Sequence, residues 1–302
     1  MNFNEYNSYF SLTNPTCQAM KTIISAIDFS DCSINALEHA ISIANKSKSN
    51  LLMQWVNNPN TTKTILSSDL SDDLLEEVEH QFTRLLNKYG DQLPDSKLDY
   101  IIREGKVYKE IVNQAKESDA WLIVAGTHGS SGFEEFWIGS NANRIVTSAP
   151  CPVITIRSGI QVSRDLAKIV VPIDSSMETR QKVPYVSDLA NMFGAEVHLL
   201  ALYSTTVENV RGTIMSYTKQ AAKYLKERNV NYIITELESE NISTSTIEYA
   251  RIIDANLIAI MTEQEKTAAN LWLGPYAQQM VHHSPIPVLS VHPKEMLISM
   301  GY

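Results

Sequence analysis

Cysteine is scarce in this chain. Three residues, Cys17, Cys32 and Cys151, stand among 302. The count is odd and no two sit at a metal-ligand spacing, which argues against a disulfide framework or a zinc ribbon and suits a reducing cytoplasm. Positive charge is in deficit, with 25 Lys and Arg against 34 Asp and Glu and a net charge of −9. A nucleic-acid-binding surface and an anionic-membrane partner are thereby disfavoured, while a local pocket for phosphate is not. No apolar run reaches the roughly 20 residues of a membrane-spanning helix. Residues 1–19 are polar and dotted with aromatics, without the apolar core of a secretory signal, and read as a poorly ordered leader. Glycine and proline number 11 each, too few for a low-complexity or collagen-like chain. What is plentiful is apolar: 44% of residues are hydrophobic against 20% charged, the balance of a packed protein long enough for two domains.

The apolar residues fall in an order that repeats. A strand pattern at 22–27 ends in Asp28–Phe29–Ser30 and is followed by a helical pattern carrying Ile34, Leu37 and Ala44. Strand patterns at 51–56 and 98–102 alternate with helical ones, the clearest being 70–89 with Leu74, Val78, Phe82 and Leu85 at helical spacing. Alternating strands and helices predict a parallel, doubly wound sheet. The second half repeats the first: Lys168 to Asp174 answers the first strand, Tyr232–Ile234 answers Tyr100–Ile102, and Pro285–Ile286–Pro287–Val288 answers Pro150–Cys151–Pro152–Val153. The period is a whole domain, so a tandem pair is expected and not a solenoid.

The stretch most suggestive of function runs from Val124 to Arg157. A buried strand pattern (Trp121–Ala125) leads to Gly126 and Gly129; then come Gly132, the trio Phe136–Trp137–Ile138, and Gly139–Ser140 opening a helical pattern. Ser140 is the expected N-cap, and the free N–H groups of the first turn, with the positive end of the helix dipole, make an anion site. The spacing lacks the Lys–Ser/Thr of a Walker loop and the clustered glycines of a dinucleotide fingerprint. Together with Ala149–Pro150–Cys151–Pro152–Val153, it resembles the nucleotide-binding loop of the universal stress protein family.

That resemblance implies two α/β, doubly wound (Rossmann-like) domains, each with a five-stranded parallel sheet in order 3-2-1-4-5. They would span residues 20–157 and 167–293, with a linker at 158–166 and a tail at 294–302. It implies one ATP, with Mg²⁺, held by Ala26, Ile27 and Asp28 at the end of the first strand and by Val56 at the end of the second. Gly126, Thr127, His128, Gly129, Ser130 and Gly132 would surround ribose and phosphates, with Gly139, Ser140 and Asn141 at the helix start. It further implies that the two domains pair within the chain through Val153–Ile156 and Val288–Val291; association of two chains is left open. A stress-response regulator is one function that fits. The alternative is an ATP-consuming enzyme on the same fold, a weak ATPase or an adenylyl transferase, but the His–x–Gly–His and Lys–Met–Ser–Lys–Ser motifs of such enzymes are missing.

Several residues admit plainer readings. Asp28 contacts ligand or merely caps the next helix, since Asp–x–Ser is a common helix start. His128 and the pair Glu134–Glu135 read as solvated loop residues, and no catalytic residue is assigned. Phe136–Trp137–Ile138 recurs as Leu271–Trp272–Leu273 in the second half, which favours packing over ligand stacking. The polar loop 57–68 is a lid or a tolerated insertion. The halves differ most in the glycine loop, where Gly126, Gly129 and Ser140 become Met261, Gln264 and Pro275 while Gly139 persists as Gly274. Side chains then stand where phosphate would approach bare backbone, and the second site is expected to be lost.

Overall fold

The structure is a computed structural model and describes residues 20–58, 70–127, 139–157, 165–262, 264–267 and 270–293. The first half contains β1 (Thr22–Ala26), α1 (Asp31–Ser47), β2 (Asn50–Asn57), α2 (Leu70–Tyr89) and β3 (Leu98–Glu104). It continues with α3 (Val107–Glu117), β4 (Leu122–Gly126), α4 (Ser140–Ser148) and β5 (Val153–Ile156). The second contains β6 (Lys168–Ile173), α5 (Val183–Phe193), β7 (Glu196–Tyr203), α6 (Glu208–Glu227) and β8 (Tyr232–Glu238). Then follow α7 (Ile242–Ile252), β9 (Leu257–Met261), β10 (Gln264–Thr267), β11 (Asn270–Leu273), α8 (Pro275–His283) and β12 (Val288–Val291).

Ten of these strands lie in one sheet, in the order β3-β2-β1-β4-β5-β12-β9-β6-β7-β8, and β10 and β11 form a separate hairpin. Each domain therefore has the expected order 3-2-1-4-5, with its five sheet strands parallel. The strands read as near-continuous apolar runs because helices cover both faces of the sheet. On one face Ile23, Leu51 and Val124 pack with Ile169, Leu199 and Leu289 under α1, α2, α5 and α6. On the other, Ile24, Val56 and Ile123 pack with Val170, Leu200 and Ile258 under α3, α4, α7 and α8.

At the seam β5 and β12 pair antiparallel, with Ile154 opposite Leu289. Val153, Ile154, Ile156, Val288, Leu289 and Val291 are each at most 2% exposed. Burying such a side chain contributes about 2 kcal/mol, so parting these strands would be costly. The small antiparallel hairpin β10–β11 is a feature that the sequence reading did not foresee. It takes the place of the glycine loop in the second domain, and β11 runs against α4 of the first. Leu273, at the end of the Leu271–Trp272–Leu273 trio, is buried in the shared core, in line with a packing role. Phe136–Trp137–Ile138, the leader, the tail and most of the 57–68 loop lie outside the described residues.

Candidate functional site

In a parallel doubly wound sheet, ligands sit beyond the carboxyl ends of the strands. In the first domain that edge is formed by Ala26–Asp28 at the end of β1, Val56–Asn58 at the end of β2, Gly126–Thr127 at the end of β4, and the start of α4. The ends of β1 and β4 are adjacent, with Ala26 opposite Ala125. The Gly139 N–H donates to the Thr127 carbonyl at 2.7 Å, tying the helix start to the strand end. A Cβ on Gly139 would lie 3.2 Å from that oxygen, so the close approach suits glycine here.

The helix start departs from the sequence reading in one respect. The N-cap is Gly139, and Ser140 is the first helical residue. Gly139 has no side chain with which to cap, so none from the N-cap reaches the N–H groups of Ser140, Asn141 and Ala142, which have no intrahelical partner. Ser140 and Asn141 are exposed. The partial positive charge of these donors and of the helix dipole is what an anion would meet.

Strand pleating sorts the other candidates. Ala26 and Val56 belong to the α3/α4 face, together with Ala142 of α4. Ile27 belongs to the opposite face, packed under α1, and its N–H donates to the Gln54 carbonyl at 2.9 Å. Its side chain is therefore a core residue and does not line the site. Thr127 is buried, and its N–H is already given to the Ile156 carbonyl at 2.9 Å. His128, Gly129, Ser130 and Gly132 lie outside the described residues.

Asp28 has a structural duty. Its Oδ1 accepts from the N–H of Ser30 (3.1 Å) and from the Ser30 hydroxyl (2.6 Å). Ser30 itself is the N-cap of α1, accepting from the Ser33 N–H at 3.2 Å. Between them Phe29 takes a left-handed backbone, φ 63°, an uncommon state for an aromatic residue. It is held there by edge-on packing against Phe82, which stacks in turn on Tyr100. The carboxylate thus braces the cap at the strand end.

Gly126 proves to be a packing glycine. A Cβ there would lie 2.8 Å from Cys32 Sγ and 3.1 Å from the Cys32 carbonyl carbon. Cys32 is buried in the first turn of α1, with its thiol donating to the Ile156 carbonyl at 3.3 Å. The glycine lets α1 close onto β4.

The same positions in the second domain are built differently. Met261 replaces Gly126 and fills the core. The helix turn opposite becomes a 3-10 turn, Met177–Arg180, with α5 beginning only at Val183. Lys182, where the first domain has Ala36, is 1% exposed. Its ammonium donates to the Thr179 carbonyl (2.7 Å) and hydroxyl (3.1 Å). Burial pulls its pKa down to about 8, against the opposing pull of Asp174. Helix α8 starts with Pro275 after Gly274, leaving one donor fewer than α4. The hydroxyl of Thr262 meets His292 Nδ1 at 2.9 Å; burial holds this histidine neutral, with a pKa pushed down to about 4.

Two neighbours were not singled out from sequence. Arg144 of α4 lies over the Tyr108 ring of α3 at 5.1 Å, which steadies the two helices bordering the site. Gln54 is buried in β2, and its signal was present: one glutamine inside the apolar run Leu51–Leu52–Met53–Gln54–Trp55–Val56. Among the described residues no cluster of three His, Cys, Asp or Glu could hold a metal ion, and no helix is long and apolar enough to cross a membrane.

The fold places the chain in the class of tandem, doubly wound α/β proteins. Residues 20–157 and 166–292 each match the Universal stress protein family, so the chain belongs to that family. It is similar to a universal stress protein of Methanocaldococcus jannaschii, 30% identical over 140 residues, covering 45% of this chain and 82% of the relative. A Bacillus subtilis universal stress protein is 28% identical over 141 residues, covering 44% and 95%. A universal stress protein from Archaeoglobus fulgidus shares the whole tandem fold, with TM-score 0.69 at 16% identity, covering 90% of this chain and 98% of that one.

Proposed function

We propose that this chain is a cytoplasmic, nucleotide-responsive stress regulator that binds one ATP, with Mg²⁺, at the carboxyl edge of its first domain only. The observation that carries the reading is the difference between the two helix starts. Both helices follow a glycine N-cap, but α4 keeps the N–H of its first residue, Ser140, whereas α8 begins with Pro275 and follows a hairpin. Ala26 and Val56 supply apolar surface for the nucleoside on the α4 side of the sheet. The loop residues Thr127, His128, Gly129, Ser130 and Gly132 are assigned to ribose and phosphates, with Gly139, Ser140 and Asn141 receiving the terminal phosphates. Mg²⁺ is expected to arrive on the phosphates, because the described residues provide no cluster to hold it. Pairing of the two domains through β5 and β12 is proposed to persist in solution.

Isothermal titration of the full chain with Mg²⁺–ATP tests this reading. One site per chain is expected, lost in Gly129→Val with the circular dichroism unchanged and kept in Met261→Val. Two equivalent sites, or a Gly129→Val chain that binds as tightly as the parent, would overturn it. Product analysis after prolonged incubation separates the regulator from an ATP-consuming enzyme.

A further inference from the structure

Gln54 is fully buried, yet neither its Oε1 nor its Nε2 has a hydrogen-bond partner. Leaving both ends of a carboxamide unpaired in a core is costly, and a buried polar group in that state calls for an explanation. The fold does not require an amide here. The position that answers Gln54 in the second domain is Leu200, also fully buried in the same face of the sheet. One domain thus fills the slot with an alkyl side chain of similar reach, and the other with an amide that its own protein leaves unanswered.

The location narrows the explanation. Along β2, Leu51, Met53 and Trp55 face α1 and α2, while Val56 faces α3 and α4. Side chains alternate along a strand, so Gln54 shares the face of Val56. Its neighbour abreast on β1 is Ala26, a small and half-buried side chain. Gln54 therefore lies at the floor of the edge where Ala26 and Val56 present apolar surface beside α4. In the second domain the residue answering Ala26 is Pro172, abreast of Leu200.

We propose that Gln54 is the base-reading residue of the nucleotide site, its carboxamide pairing with the 6-amino group and N7 of adenine. The inference rests on the nucleotide reading above. A carboxamide carries an acceptor and two donors side by side. Adenine offers the complementary pattern on that edge, an amino donor at position 6 beside the N7 acceptor. A 6-oxo purine offers two acceptors there, of which the amide can satisfy only one. The pairing would give the buried amide the partners it lacks, so binding energy and base selectivity come from the same two atoms.

The test compares ATP and ITP binding to the full-length parent and to Gln54→Leu, which copies the second domain, with Gln54→Met as the alternative should leucine not pack. In the parent, ATP is expected to bind about tenfold or more tightly than ITP. In the variant, ATP affinity falls by about tenfold, the ATP-to-ITP ratio approaches one, and the melting temperature of the ligand-free chain holds or rises because an unpaired amide has been removed. A variant that keeps both the parent's ATP affinity and its ratio overturns the assignment while leaving the nucleotide reading intact. A parent that binds neither nucleotide overturns both.

Discussion

The two domains of this chain share strand order, face assignment and even the seam strand. They diverge within a few residues of one edge. In the first domain Gly126 allows the first turn of α1 to close on β4 through Cys32. In the second, Met261 fills that space with its own side chain, the turn opposite becomes a 3-10 turn, and Lys182 turns its ammonium inward onto Thr179. The lesson is that losing a glycine loop is not a local event. A Cβ added on the strand changes the start of the facing helix, and a proline at the next helix removes a donor. The second domain therefore looks like a self-filled copy of the first.

The comparison can be broken most severely at Gly126. Valine there must displace Cys32 or the α1 backbone, and overpacking of this kind costs about 3 kcal/mol. Chemical denaturation should show a large loss of stability in Gly126→Val. ATP binding in that variant would therefore report on folding as much as on the site, which makes Gly129→Val the cleaner probe of phosphate contact. Next comes Lys182. Its pKa of about 8, below the usual 10.5, means that the unfolded chain binds the proton more readily between those values. Stability should therefore rise as pH increases from about 8 to 10.5, and the deficit below pH 8 is worth up to about 3 kcal/mol. Urea titrations at pH 7 and pH 10 check this: Lys182→Met should be more stable than the parent at pH 7 and should lose the alkaline rise.

Smaller effects come from swapping single features across the pair. Ser140→Pro gives α4 the start of α8. Proline is tolerated at a first helical position, so the fold should stay, while the loss of one donor to a charged phosphate should weaken ATP by about tenfold. Ser140→Ala should do less, since Gly139 is the N-cap and the Ser140 N–H is retained. Parallel titrations of the two variants rank them; equal losses would mean that the hydroxyl and not the N–H matters.

Much of this architecture was legible in the sequence, for definite reasons. Strands covered on both faces must be apolar throughout, so runs such as Leu122–Ala125 and Ile169–Val171 announce themselves, and a whole-domain repeat confirms each run by its copy. The hairpin β10–β11 was not legible because Gln264–Thr267 is mostly polar and becomes a strand only by pairing with Asn270–Leu273. Nor was the 3-10 turn, since Asp174–Ser175–Ser176 reads like Asp28–Phe29–Ser30. Gly126 misled in a subtler way. Glycine marks a close approach but does not say to what, and here the neighbour is Cys32 of the same chain. Asp28 was open to two readings, and the bond network around Ser30 establishes its part in the cap. Gln54 had a signal that pattern reading passes over: a single polar residue does not disturb an apolar run.

The antiparallel union of β5 and β12 has one more consequence, in the form of a binding curve. Two separate domains meeting at this seam would do so only above their dissociation constant, and any response coupled to it would vary with abundance. Here the linker between Arg157 and Ala167 is short, and short tethers hold their ends at millimolar effective concentration. On the proposed reading that this pairing persists in solution, the seam is expected to close at any concentration of the chain. A symmetric pair of identical domains would also fill two equal sites. On the proposed reading of one competent site per chain, saturation is expected to follow one simple hyperbola, set by ligand concentration and not by how much protein is present.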